Sequence, residues 1–182
     1  MTSVALIPAR GGSTGISRKN IKPFNSKPLI YWSIKAALRS NYIDRVIVST
    51  EDKEIAEIAR SFSAEIPFIR PMELAMDNTP GIDPVLHALE NLPDVKDLLL
   101  LQPTSPLRTS THIDEAMNLF CEKRANAVIS VTETDHPIEW VKPISEDLRM
   151  DQFSGPEFSS RSQEFPVRYR VNGAIYIAHT GK

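Results

Sequence analysis

Short apolar segments alternate with amphipathic helical patterns over the first 130 residues of the chain. The apolar segments predict strands at 4–8, 45–50, 66–69, 97–102 and 127–131. Between them, apolar residues recur at spacings of three and four, which predicts helices over 28–39, 52–61, 82–92 and 111–123. This alternation favours an α/β fold, a three-layer arrangement in which a mostly parallel sheet carries helices on both faces.

The pattern changes after residue 132. The stretch 132–170 is polar, contains four prolines and has no long helical period. A disordered linker is one interpretation, but the stretch contains Trp140, Phe153, Phe158 and Phe165, which make it more apolar than most linkers. We therefore interpret it as an extension of a single domain, 1–182, that becomes ordered by packing on a partner subunit. A strand is predicted again at 171–178.

Composition and charge narrow the class of protein. A length of 182 residues suits one globular domain, and the net charge of −2 argues against general affinity for nucleic acid. The single cysteine, Cys121, excludes an internal disulfide and lies in an apolar-periodic stretch, so we expect a buried structural thiol in a reducing compartment. We find neither a signal-peptide pattern nor an apolar run of membrane-spanning length, and therefore expect a cytoplasmic protein with no membrane partner.

The loop after the first strand contains the strongest candidate chemistry. It combines glycines with basic and polar side chains, namely Arg10, Gly11, Gly12, Ser13, Gly15, Arg18, Lys19 and Asn20. Glycines let backbone N–H groups approach an anion, and the basic side chains supply charge for a phosphate chain. The loop matches neither the Walker pattern nor the dinucleotide fingerprint, and a plain strand-to-helix turn remains the structural alternative.

Two further candidates lie at strand ends, where ligands bind in parallel sheets. Arg70 precedes Pro71, and its guanidinium suits the acceptor edge of a base, although a solvated arginine explains it nearly as well. The segment 102–108 contains two prolines that stiffen the turn, and Gln102 can both donate and accept hydrogen bonds. The four histidines are scattered, so their spacing predicts no metal site.

Together these strings resemble the cytidylyltransferases that activate nine-carbon sialic acids, the CMP-N-acylneuraminate synthetases. The matching elements are Ile7-Pro8-Ala9-Arg10-Gly11-Gly12-Ser13, Arg18-Lys19-Asn20, Arg70-Pro71, Gln102-Pro103-Thr104-Ser105-Pro106-Leu107-Arg108 and Asn172-Gly173-Ala174-Ile175-Tyr176-Ile177. They occur in the family's order and span nearly the whole chain.

The resemblance implies a nucleotide-diphospho-sugar-transferase-like fold, a homodimer formed through 132–170, and Mg²⁺ as cofactor. It implies attack of a nonulosonic acid on CTP with release of diphosphate. Catalysis would fall to Arg10 and Lys19. The nucleotide would contact Arg10, Gly11, Gly12, Ser13, Asn20, Arg70 and Thr79. The sugar acid would contact Gln102, Thr104, Ser105, Arg161, Arg170 and Asn172.

The chain departs from the family pattern at three places. Thr14 and Ser162 stand where the family has basic or amide residues, and the aspartates that bind magnesium in the family would follow Lys182. We therefore expect a truncated form of an active enzyme. Two alternatives stay open: a CTP-binding module without catalysis, and a cytidylyltransferase for an eight-carbon ulosonic acid.

Overall fold

The computed structural model describes residues 2–13 and 15–181, with the exception of the Glu157 side chain. The chain forms two compact units. The first consists of the described residues up to Ser130 together with those from Gly173 onward, and the second is Val131–Asn172. The second unit corresponds closely to the segment that the sequence predicts as an extension.

In the described part of the chain, five strands form the main sheet and two more form a small ribbon. The strands are β1 (Thr2–Pro8), β2 (Pro23–Phe24), β3 (Lys27–Pro28), β4 (Arg45–Ser49), β5 (Val95–Leu100), β6 (Ala127–Glu133) and β7 (Tyr169–His179). The main sheet has the order β4-β1-β5-β7-β6. Strand β1 is parallel to both β4 and β5, whereas β7 is antiparallel to β5. The β2–β3 ribbon was not predicted.

Among the described residues, four α-helices connect these strands, namely α1 (Leu29–Leu38), α2 (Lys53–Ser61), α3 (Asp83–Glu90) and α4 (Ser110–Glu122). Each lies within about two residues of a predicted helix. Within residues 2–13 and 15–181, no helix combines the length and apolar character that a membrane crossing requires.

Alternate side chains of the central strand pack into two separate hydrophobic clusters. Ala5 and Ile7 of β1 lie in the cluster that includes residues of α1, α2 and α4. Val4 and Leu6 lie in the other cluster, with residues of α3. Successive side chains of a strand point to opposite faces of its sheet, so helices cover both faces. The prediction of a mixed α/β fold with a mostly parallel sheet is confirmed.

The predicted strand at 66–69 is wrong. Only Glu65 forms a bridge, with Ile47 of β4, and the chain then runs along β4 without a ladder until the Arg70 N–H donates to the Thr50 carbonyl at 3.0 Å. Pro67 explains the difference, because proline has no N–H to donate to a neighbouring strand. The sequence pattern correctly indicated that this segment is apolar. It did not show whether the segment pairs with a neighbouring strand.

The predicted burial of Cys121 is also wrong, since this thiol is free and exposed. The buried residues of α4 are Ile113, Met117 and Phe120. At 3.6 residues per turn, Phe120 lies about 20° around the helix from Ile113, whereas Cys121 lies about 80° away. Cys121 therefore falls outside the apolar stripe.

Candidate nucleotide site

A cavity of about 310 Å³ opens at the carboxyl ends of β1 and β5. Eight of the predicted site residues line it, namely Arg10, Ser13, Lys19, Asn20, Arg70, Thr79, Gln102 and Thr104. They come from three chain segments that are far apart in sequence. Because the strands are parallel, the segments that leave their carboxyl ends meet at one edge of the sheet.

The glycine-rich loop is anchored by its own backbone. Ala9 N–H donates to the Ser49 carbonyl at 2.9 Å, so the loop begins against the end of β4. The buried Asn20 side chain donates from Nδ2 to the Arg10 carbonyl at 2.9 Å. Asn20 therefore lines the cavity and also closes the loop on itself.

Arg18 does not supply charge to the cavity, contrary to the expectation for the loop. Its backbone is left-handed, with φ of 53°, and its guanidinium forms ion pairs with Asp52 and Glu54. The hydrogen bond from Arg18 lowers the pKa of Asp52. Asp52 also accepts the Ile55 N–H at 2.9 Å as the N-cap of α2. Arg18 thus ties the loop to the start of a helix.

Arg10 and Lys19 are the charged loop residues that reach the cavity. Arg10 forms an ion pair of 2.6 Å with Asp77 and donates to the Ala75 carbonyl at 3.3 Å. Both side chains of this pair are partly exposed, at 33% and 59%. Among the described residues, no carboxylate pairs with Lys19, whose ammonium group is therefore available to an anion.

Arg70, which lines the cavity, forms a buried ion pair with Glu51. The Arg70 Nη2 to Glu51 Oε2 distance is 2.6 Å, and the two side chains are 3% and 6% exposed. Glu51 also accepts the Gly11 N–H at 2.6 Å. The prediction for Gly11 as a phosphate-binding amide is therefore corrected, because this N–H donates to a protein carboxylate.

The turn after β5 is held by a buried arginine. Arg108 donates to the carbonyls of Gln102 and Ala174, at 3.2 and 2.7 Å, and to Ser33 Oγ at 2.6 Å. Burial lowers the pKa of Arg108 to about 10. Gly173 has φ of 75°, and a Cβ there would lie 2.8 Å from Gln102 Oε1. Glycine at this position lets β7 approach the Gln102 side chain.

Several predicted residues lie elsewhere or outside the description. Ser105 does not line the cavity, and its N–H donates to the Gln102 carbonyl at 3.3 Å within the turn. Gly12 is also absent from the cavity lining. The exposed residues Arg161, Arg170 and Asn172 belong to the second unit, so their role in the site stays a prediction. The departure at Thr14 lies outside the described residues.

The described residues do not fit a magnesium site built by the protein. They contain no cluster of three or more histidine, cysteine, aspartate or glutamate side chains in metal-binding geometry. Asp77 is the carboxylate among the described cavity-lining residues, and it pairs with Arg10. Magnesium therefore stays an expectation from the resemblance.

Sequence reasoning missed the site's carboxylates and its buried arginine. The predictions from sequence assign no role to Glu51, Asp77 or Arg108. A signal was present for Glu51, which lies two residues after β4, on the ligand-binding edge of the sheet. The signal for Asp77 and Arg108 is weaker, since neither directly follows a strand.

Comparison with known proteins agrees with this geometry. Residues 4–178 match the cytidylyltransferase family. The chain is 38% identical over 177 residues to an N-acylneuraminate cytidylyltransferase of Escherichia coli, covering 97% of this chain and 42% of that protein. It therefore spans about two fifths of that relative's length. The resemblance seen in the sequence motifs is confirmed.

Two other relatives are covered more fully. A pseudaminic acid cytidylyltransferase of Campylobacter jejuni is 33% identical over 181 residues, covering 97% of this chain and 78% of that protein. A CMP-N,N'-diacetyllegionaminic acid synthase of Legionella pneumophila is 34% identical over 185 residues, covering 98% and 78%. A solved CMP:2-keto-3-deoxy-manno-octonic acid synthetase complexed with CTP has a TM-score of 0.75 at 17% identity, covering 98% of this chain and 74% of that one. This last likeness shows the fold.

Replacing Asp52 by asparagine is expected to weaken the acid dependence of stability. Because Arg18 lowers the pKa of Asp52 in the folded chain, its contribution is complete above the unfolded value of 3.8 and is lost as pH falls through the lower folded value. We expect Asp52→Asn to reduce the free energy of unfolding by about 1 kcal/mol at pH 7, because asparagine still caps a helix.

The measurement is urea unfolding from pH 2 to pH 7, with Glu57→Gln on the exposed face of α2 as control. The difference between Asp52→Asn and the unmodified chain should shrink below about pH 4. A difference that stays constant with pH would contradict the ion pair.

Proposed function

Because this chain belongs to the cytidylyltransferase family, we propose that it transfers the cytidylyl group of CTP to a nonulosonic acid of the N-acylneuraminate type. The anomeric hydroxyl oxygen forms a bond to the α-phosphorus of CTP. The bond from that phosphorus to the bridging oxygen of the β-phosphate breaks, and diphosphate leaves with the electron pair. The hydroxyl proton passes to solvent.

One observation carries this proposal: the glycine-rich loop, Arg70 and the turn at Gln102 line one cavity. The loop offers Ser13 and the cations Arg10 and Lys19 to a phosphate chain. Arg70 and the segment near Thr79 would read the base, and Gln102 with Thr104 would face the sugar acid. A reaction of this type needs positioning and electrostatic stabilisation more than covalent catalysis, and charged side chains at fixed positions supply both.

Arg10 has to change partner when CTP binds. In the structure its guanidinium pairs with Asp77, which is 59% exposed. An exposed ion pair contributes about 0–1 kcal/mol, so a triphosphate can replace the carboxylate at little cost. The exchange would bring Arg10 to the phosphates and release Asp77 into solvent.

The reaction is tested by diphosphate release with CTP, Mg²⁺ and a panel of sugar acids. The panel contains N-acetylneuraminic, legionaminic and pseudaminic acids and one eight-carbon ulosonic acid. Turnover with a nine-carbon acid is the expected result. Turnover with the eight-carbon acid alone would replace the proposed substrate class, and CTP binding without turnover would favour a binding module.

Lys19→Ala tests the proposed charge on the leaving phosphates. Because this ammonium group pairs with no described carboxylate, we expect its loss to lower kcat about 10²–10³-fold with a smaller change in KM for CTP. Lys22→Ala is the matched control, since Lys22 is exposed and does not line the cavity. Equal rates for Lys19→Ala and Lys22→Ala would contradict the assigned role.

We also propose that Val131–Asn172 mediates dimerisation. Among the described residues of this unit, nine large apolar side chains are exposed, including Val141 at 72% and Leu148 at 76%, and apolar residues concentrated at a surface mark protein–protein interaction sites. We expect the chain to sediment as a dimer and the double variant Val141→Asp, Leu148→Asp as a monomer. Leu107→Asp, at a position 78% exposed in the other unit, is the control. A monomeric unmodified chain would contradict the proposal.

A further inference from the structure

The Glu51 carboxylate joins two segments of the cavity wall. Its Oε1 accepts the N–H of Gly11 in the glycine-rich loop at 2.6 Å. Its Oε2 accepts a hydrogen bond from Arg70 Nη2, also at 2.6 Å. Each oxygen thus holds a different segment, and the two segments are almost 60 residues apart in the chain.

Because the Arg70 and Glu51 side chains are buried, both contacts restrain the position of the cavity wall. The side chains of Arg70 and Glu51 are 3% and 6% exposed, so water solvates neither charge well. Breaking a buried ion pair by removing one partner leaves an uncompensated charge and is strongly destabilising. In the described structure the Arg70 Nε is buried and also lacks a hydrogen-bond partner, so this guanidinium depends on Glu51 for its charge balance.

The backbone around Glu51 is held as well. The Thr50 carbonyl accepts the Arg70 N–H at 3.0 Å, and Thr50 Oγ1 accepts the Asp52 N–H at 3.1 Å. Asp52 then caps α2. Gly11 lies so close to this segment that an added Cβ would be 2.4 Å from Asp52 Oδ2. These contacts hold the Glu51 backbone in place, so its carboxylate can position Gly11 and Arg70.

A carboxylate below a phosphate-binding loop is electrostatically unfavourable for an anionic ligand unless a cation neutralises it. Like charges at short distance near a protein surface repel each other strongly. Arg70 supplies that cation through a charge-assisted hydrogen bond. The loop therefore gains an anchor for Gly11 without a net negative charge beside the ligand.

We propose that Glu51 is a positioning residue that couples the glycine-rich loop to Arg70, and that Arg70 neutralises Glu51 so that the cavity accepts a nucleoside triphosphate. This inference rests on the proposed function for its ligand. Glu51 does not line the cavity and acts through Gly11 and Arg70.

The first test uses the ligand-free chain and needs no activity. Glutamine has a single acceptor oxygen, so in Glu51→Gln it cannot serve Gly11 and Arg70 together. We expect hydrogen exchange of the Gly11 amide, followed by NMR, to accelerate at least tenfold. Glu65→Gln is the matched control, because Glu65 pairs with Arg45 at 2.6 Å near the other end of β4. Unchanged Gly11 exchange in Glu51→Gln would overturn the proposal.

The second test is a double-mutant cycle on CTP binding, measured by calorimetry. Arg70→Gln leaves an unpaired carboxylate near the phosphates, and we expect it to raise the Kd for CTP at least thirtyfold. The double variant Glu51→Gln, Arg70→Gln removes both charges while keeping the shapes, and we expect it to bind CTP at least threefold more tightly than Arg70→Gln alone. A merely structural role for Glu51 predicts the opposite order, with the double variant the weaker binder, and that result would overturn the proposal.

The two tests separate this inference from the proposed function. If the unmodified chain does not bind CTP, the proposed function and the neutralising role of Arg70 both fail. In that case faster Gly11 exchange in Glu51→Gln would still support Glu51 as the anchor of the loop. If the unmodified chain binds CTP but the double variant gains nothing over Arg70→Gln, the coupling alone fails.

Discussion

The candidate site depends on the parallel alignment of three neighbouring strands. Strand β1 lies between β4 and β5 and is parallel to both, and its residues 4–7 are completely buried. Parallel strands end at the same edge of a sheet, so the segments that follow Pro8, Ser49 and Leu100 open side by side. The contact of Glu51 with Gly11 and the position of Gln102 beside the glycine-rich loop follow from that alignment.

Most basic side chains in and around the site form ion pairs or hydrogen bonds with other groups of the protein. Arg18 pairs with Asp52 and Glu54, Arg70 pairs with Glu51, and Arg108 donates to carbonyl and hydroxyl oxygens. These contacts join neighbouring segments of the chain, and Arg70 also lines the cavity.

Arg10 and Lys19 differ from the other cations because their charges are accessible to an anion. The Arg10–Asp77 pair is partly exposed and exchanges its partner at low cost, and no described carboxylate holds Lys19. The site thus divides its positive charge into a buried part that sets geometry and an accessible part for ligand. The same division explains why a chain with a net charge of −2 can present a local anion site.

The sequence by itself determined the alternation of strands and helices, the position of the glycine-rich loop and the choice of Arg70 and Gln102 as candidate site residues. These features are local, since apolar periodicity and glycine or proline at a turn act over a few neighbouring residues. The wrong prediction of a strand at 66–69 shows the limit of such patterns. Apolar character does not indicate whether a segment that contains Pro67 can form a β-ladder. Only the tertiary structure decided that Arg18 pairs with Asp52, that Asp77 pairs with Arg10 and that Glu51 joins Gly11 to Arg70. Those pairings depend on which strands lie side by side, and sheet order brings together charges that no local pattern relates.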